Sequence, residues 1–275
     1  MHGRGPAWSA LMRKTTAGLG LSLILLAAAV GATAQTPVRV PGYLAGERLP
    51  EAARLLPPPP AEGSERQLQE LALFRTSRGL NGTPRWTMAQ GDNDYSPPAL
   101  MQHFSCSLGV SLDSQSAPRL ARLLGRMTVD AGGSAVTAKQ VFARKRPYLL
   151  ADGDICIAKS QSLADSPDYP SGHASLGWAA GMILSELAPE RAAPIMLRAR
   201  AFGDSRVVCG VHTPSAVEAG RDTAAAVFAT LHGSDEFRAD VEAARAEIAA
   251  ARAARKSPAP AACATEAALI AKPPF

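Results

Sequence analysis

Three short stretches of the chain hold residue types that could work on an anion together. They are Lys139-x6-Arg146-Pro147, Tyr169-Pro170-Ser171-Gly172-His173 and Ser205-Arg206-x5-His212. In the middle stretch, Ser171 is a good helix N-cap and Gly172 lets the backbone come close to a ligand. A helix that starts there turns its free N–H groups and the positive end of its dipole toward whatever sits in front, and a phosphate suits that place. Lys139, Arg146 and Arg206 could neutralise non-bridging oxygens, Arg by paired donation and Lys as a point charge. Of the two histidines, one can attack phosphorus while the other protonates the leaving oxygen.

Each piece alone says little. A single Lys or Arg is usually a solvated surface charge, Ser-Gly-His before a helix is more often only a cap, and a lone histidine is usually structural. Order and spacing together say more. The set resembles the signature of the phosphatidic-acid-phosphatase type 2 superfamily, K-x6-R-P, then P-S-G-H, then S-R-x5-H-x3-D. Within it the chain is most similar to the secreted bacterial class A non-specific acid phosphatases. Leu55-Leu56-Pro57-Pro58-Pro59-Pro60 and Ser205-Arg206-Val207-Val208-Cys209-Gly210 fit as well, and the likeness spans about residues 50–250. The resemblance implies an all-α, single-domain helical bundle of the acid phosphatase and vanadium haloperoxidase type. It implies that His212 is a nucleophile forming a phosphohistidine, with His173 first the general acid and then the base that activates water. Lys139, Arg146, Ser171, Gly172 and Arg206 would bind the phosphoryl oxygens. It implies no metal and no cofactor, small phosphate esters and inorganic phosphate as ligands, and frequent assembly into dimers or larger oligomers.

The third stretch departs from the signature, because Ala216 stands where an aspartate would orient the nucleophilic imidazole. Losing such a carboxylate costs about 10⁴ in turnover in comparable triads. Glu218, two residues on, would be rotated by roughly 200° on a helix of 3.6 residues per turn, and Asp222 lies further along. The expectation is therefore an impaired broad-specificity phosphomonoesterase, with a phosphate-binding pseudoenzyme as the alternative. A vanadate-dependent haloperoxidase is the third reading, disfavoured because those chains are typically longer. Asp168, where the family often has Ser, reads as a solvated loop charge.

The elements that must position these residues are helical. The aromatic share is low at 5%, alanine is abundant, and β-type alternation is rare. Apolar spacing predicts helices over 64–78, 117–130, 134–145, 172–188, 189–202, 214–232 and 235–255. The stretch 80–100 reads as a long loop. Residues 1–34 read as a signal peptide: a basic start, the apolar run Leu19–Val30, and Ala32-Thr33-Ala34 before Gln35. Residues 35–60, with seven prolines, read as an extended lead-in, 61–255 as the acid phosphatase domain and 256–275 as a disordered tail. Losing Arg4, Arg13 and Lys14 with the leader lowers the net charge from +5 to +2, which speaks against nucleic acid as a partner. The leader implies a periplasmic or secreted protein with no membrane attachment after cleavage. Cys106, Cys156, Cys209 and Cys263 would then meet oxidising conditions, with three pairings open.

Overall fold

The computed structural model describes residues 40–44 and 48–275. The leader and the first residues of the lead-in lie outside the described residues. Among those described there are twelve α-helices and no strand. In chain order they are α1 (Ala52–Leu55), α2 (Glu65–Ser77), α3 (Pro84–Gly91), α4 (Pro97–His103), α5 (Ser105–Leu108), α6 (Pro118–Phe142), α7 (Gln161–Asp165), α8 (Gly172–Leu187), α9 (Ala192–Val208), α10 (Pro214–Leu231), α11 (Asp235–Ala253) and α12 (Pro260–Ile270).

Helix α8 is the axis of the bundle, packed against α6, α9 and α10. Its small residues make that possible. A Cβ at Gly177 would lie 2.3 Å from the Phe202 ring of α9. On α10, a Cβ at Gly220 would lie 2.4 Å from the Ser171 carbonyl oxygen at the head of α8. These close approaches bring the end of α9, the head of α8 and the head of α10 to one place. Leu123, Leu124 and Met127 of α6, Ile183 and Leu184 of α8, Phe202 of α9 and Phe237 of α11 fill the core. Each such side chain contributes about 1.5–3 kcal/mol when fully buried.

Four expectations change. Helix α6 runs through Gly132-Gly133 without a break. Two glycines cost about 2 kcal/mol in helix propensity, which the buried stripe from Leu120 to Ala138 outweighs. The stretch 80–100 is mostly helix, because Pro84 and Pro97 occupy first-turn positions behind Thr83 and Ser96 and start α3 and α4 rather than breaking a chain. Helix α9 continues past residue 202 to Val208. The end of the chain carries α12, tied back by the disulfide Cys106–Cys263, and Ile270 is buried. The second disulfide is Cys156–Cys209, so no described cysteine is free. The lead-in docks on α6: the Tyr43 and Leu44 amides donate to Asp130, and the Tyr43 hydroxyl donates to Asp240 at 2.7 Å.

Candidate active site

Lys139 lies in the last turn of α6, which closes through the left-handed Ala143, and Arg146 follows on the extended segment before Pro147. Ser171 caps α8, its oxygen accepting from the Ala174 amide at 3.3 Å. Its hydroxyl proton is left for another acceptor. Arg206 is in the last turn of α9, and His212 ends the turn before Thr213 and Pro214 open α10. A cleft of about 460 Å³ is lined by Lys139, Arg146, Gly172, His173 and His212, with Tyr95 at its rim. A Cβ at Gly172 would meet nothing within 4 Å, so the head of α8 faces open space.

The state of His212 follows from its neighbours. A guanidinium can only donate, and Arg146 Nη1 lies 3.1 Å from His212 Nε2. Nε2 is therefore unprotonated, its lone pair accepting from Arg146. Nδ1 carries the proton and donates to Asp168 Oδ1 at 3.0 Å. Burial, then Arg146, Lys139 and Arg206, hold the pKa well below the ordinary histidine range, so the resting ring is neutral. A neutral imidazole with its lone pair in an anion pocket is the form a nucleophile needs.

Asp168 is thus no solvated loop charge. It is fully buried, and the reading made from sequence is corrected. Its Oδ1 also accepts from the Thr213 amide at 3.1 Å, and its Oδ2 accepts from the Thr213 hydroxyl at 2.7 Å, with Arg144 3.5 Å away. Burial pushes this carboxyl above its ordinary pKa, and Arg144 and the Thr213 donors pull it back. Four donor groups converge on it, so the contacts hold the ionised form. Behind it, Arg144 donates to Glu70 at 2.6 Å, and Glu70 accepts from the Ser215 amide at 2.8 Å.

His173 is held differently. Its Nε2 donates to the Asn93 carbonyl at 3.1 Å, and Tyr95 packs edge-on at 4.8 Å between ring centres. A carbonyl only accepts, so Nδ1 is the position that can gain and lose a proton. Burial and then Arg206 lower the pKa well below the usual value.

Lys139 and Arg146 line the same cleft, and Arg206 is buried close by. Lys139 donates to the Pro167 carbonyl, and Arg146 donates to the Ser166 carbonyl at 2.6 Å and the Val211 carbonyl at 2.7 Å. Burial, then Arg146, lowers the Lys139 pKa to about 7. Arg206 is 1% exposed and donates from Nη2 to Asn93 Oδ1 at 3.2 Å, while its Nε and Nη1 have no partner. Buried donors are rarely left unpaired, so two of them on one guanidinium call for an anion. Among the described residues no group of three or more His, Cys, Asp or Glu side chains could hold a metal ion.

Of the seven residues expected from sequence, Lys139, Arg146, Gly172, His173 and His212 line the cleft, while Ser171 and Arg206 are buried beside it. Reading the sequence missed Asn93, which reaches both His173 and Arg206, and Tyr95. Both stand between α3 and α4, in the stretch that reads from sequence as a long loop. Asn93 is anchored by its neighbour: Asp92 accepts from Arg198 at 2.5 Å and from Ser205 at 2.6 Å, fixing the end of α3 on α9. Glu218 pairs with Arg66 on the surface and Asp222 is exposed, as the helical rotation predicted.

Residues 120–238 match the PAP2 superfamily. An acid phosphatase of Zymomonas mobilis is 39% identical over 204 residues, covering 74% of this chain and 77% of that protein. A non-specific acid phosphatase of Providencia stuartii is 36% identical, covering 75% of this chain and 84% of that protein. One from Salmonella typhimurium is 32% identical, covering 70% and 78%. With the two histidines, Lys139, Arg146 and the head of α8 on one cleft and Arg206 tied to it through Asn93, these likenesses have a common basis: the chain belongs to the PAP2 superfamily, among the bacterial non-specific acid phosphatases.

Proposed function

We propose that the protein is an exported phosphomonoester hydrolase of broad specificity that works through a phosphohistidine on His212. The observation that carries this is the unprotonated Nε2 of His212, held by a hydrogen bond from Arg146 on the wall of a cleft, with the buried Arg206 close by carrying two donors that lack an acceptor. In the first step Nε2 attacks phosphorus and the bond from phosphorus to the ester oxygen breaks. The leaving oxygen takes the proton from His173 Nδ1. In the second step neutral His173 takes a proton from water, the water oxygen attacks phosphorus, and the P–N bond breaks. His212 recovers its lone pair and His173 its proton, so one ester and one water become one alcohol and one phosphate. Lys139, Arg146, Arg206, the Ser171 hydroxyl and the Gly172 amide bind the non-bridging oxygens and the charge that grows on them.

Ala216 taken alone favours an impaired enzyme, or a chain that binds phosphate with little turnover. The carboxylate of Asp168 at His212 Nδ1 removes the physical reason for that expectation. Export is supported by the leader-like start of the sequence and by two disulfides that use all four cysteines, which suits a periplasmic or secreted protein. No helix of the described residues is long and apolar enough to cross a membrane, which fits soluble esters as substrates.

The test is hydrolysis of p-nitrophenyl phosphate by the purified protein, with acid-labile, alkali-stable label trapped from ³²P-substrate and mapped to His212. Turnover with no label at His212, or turnover kept by His212→Ala, would remove the phosphohistidine. An intact N-terminus on protein recovered from the periplasm or medium would remove leader cleavage before Gln35.

A further inference from the structure

The nucleophile of this chain is oriented by a residue that its signature does not contain. We propose that Asp168 is the positioning carboxylate of His212, supplied from the segment before α8 instead of from position 216 on α10. The proposal rests on His212 being the nucleophile.

Several observations converge on it. Asp168 Oδ1 accepts a hydrogen bond from His212 Nδ1, which fixes the tautomer that leaves Nε2 unprotonated. When Nε2 bonds to phosphorus the ring becomes cationic, and a fixed carboxylate beside Nδ1 offsets that charge. The carboxylate cannot swing away, because the Thr213 amide and hydroxyl hold both of its oxygens. Its backbone is pinned too, with the Asp168 amide donating to the Arg144 carbonyl at 2.7 Å. Arg144 then closes the network by donating to the Thr213 and Ser215 hydroxyls and to Glu70.

Position 216 meanwhile has become an apolar contact. Ala216 is fully buried among Ala138, Tyr169 and Ala219. An aspartate there would bring a second carboxylate into apolar surroundings, with Arg144 already shared by Asp168 and Glu70. The acid at 168 and the alanine at 216 are two halves of one exchange. The donor segment also explains the fit: Ser166 and Pro167, next to Asp168, accept from Arg146 and Lys139. One short stretch thereby aligns the phosphate-binding cations and the nucleophile together.

The decisive comparison uses Asp168→Asn, which keeps the shape and an acceptor for the Thr213 amide but removes the charge and the second acceptor oxygen. With p-nitrophenyl phosphate, kcat should fall by about 10³–10⁴, the scale of losing such a carboxylate in a triad. The inhibition constant of inorganic phosphate should stay within about threefold, since Asp168 does not face the anion, a split that a merely structural role would not give. Ala216→Asp in the otherwise native chain should bring no gain. A kcat for Asp168→Asn within threefold of native, or a tenfold gain from Ala216→Asp, would overturn the proposal. Should Asp168→Asn fail to fold, ¹⁵N NMR of the native protein still decides: a proton on His212 Nδ1 supports it and one on Nε2 overturns it. That signal reads the contact whether or not His212 forms the intermediate, so failure of the phosphohistidine shows separately in the labelling experiment.

Discussion

The two histidines of the cleft are braced by opposite kinds of partner. His212 leans on a buried carboxylate, while His173 leans on a neutral backbone carbonyl beside a guanidinium. The difference matches what the proposed mechanism asks of each ring. A nucleophile gains positive charge as it bonds to phosphorus, so a fixed negative partner favours the transition state over the ground state. A general acid must let its proton go, and a carboxylate at its back would hold it. Placing Arg206 near His173 makes the proton easier to lose. Two identical side chains thus acquire separate duties from their neighbours alone.

The comparison can be broken most severely at His212. His212→Ala should lower kcat by about 10⁴ or more, the scale seen when a nucleophile or its partner base is removed. Label on the protein should vanish with it. His173→Asn should cost about 10²–10⁴, the usual worth of a general acid. That loss should be smaller with p-nitrophenyl phosphate, whose phenolate leaves readily, than with an alkyl phosphate. Equal losses on the two esters would put the acid elsewhere. Arg206→Gln removes the donors that lack partners, and the phosphate inhibition constant should rise by about 10- to 100-fold, as for losing one or two hydrogen bonds to a charged group. The same change lifts a positive charge from His173, so its pKa rises and the proton-donating form persists to higher pH. The alkaline limb of the rate profile should therefore move upward in pH, and a downward shift would contradict the assignment.

The smallest expected effect concerns the pH profile of the native protein. As the proposed general acid His173 must be protonated, and its pKa is lowered, so activity should be greatest in acid and fall as pH rises. Lys139 adds to this, since a pKa of about 7 means that rising pH removes the cation near neutrality and weakens anion binding. Lys139→Arg should keep phosphate affinity flatter above pH 7, measured as the inhibition constant across pH. A native profile that climbs toward alkaline pH would break both statements.

Much of this site could be read from the sequence, because cations, a capping serine and histidines at fixed spacing declare themselves by type. The helices could be read as well, wherever apolar residues recur along one face. What could not be read is who touches whom across the chain. Asp168 and Ala216 were both visible as departures, yet nothing linear says that one lies 3.0 Å from the ring the other failed to reach. The prolines at 84 and 97 look the same whether they stop one helix or start the next, so α3, α4 and the Asn93 turn between them stayed hidden. The glycine pair at 132–133 misled for the opposite reason, since a long buried stripe overrides a local weakness.

The unpartnered donors of Arg206 also bear on what leaves the cleft. If these donors bind the ester as proposed, inorganic phosphate offers them the same oxygens, and the product would be held by the groups that bound the substrate. Occupancy of such a site stabilises the whole fold, by about 2.7 kcal/mol at a hundred times the dissociation constant. The protein is then most robust where it is least productive, in surroundings already rich in phosphate. On the proposed mechanism, phosphate that protects the fold would also compete with the ester, so protection and turnover would trade against each other in one cleft.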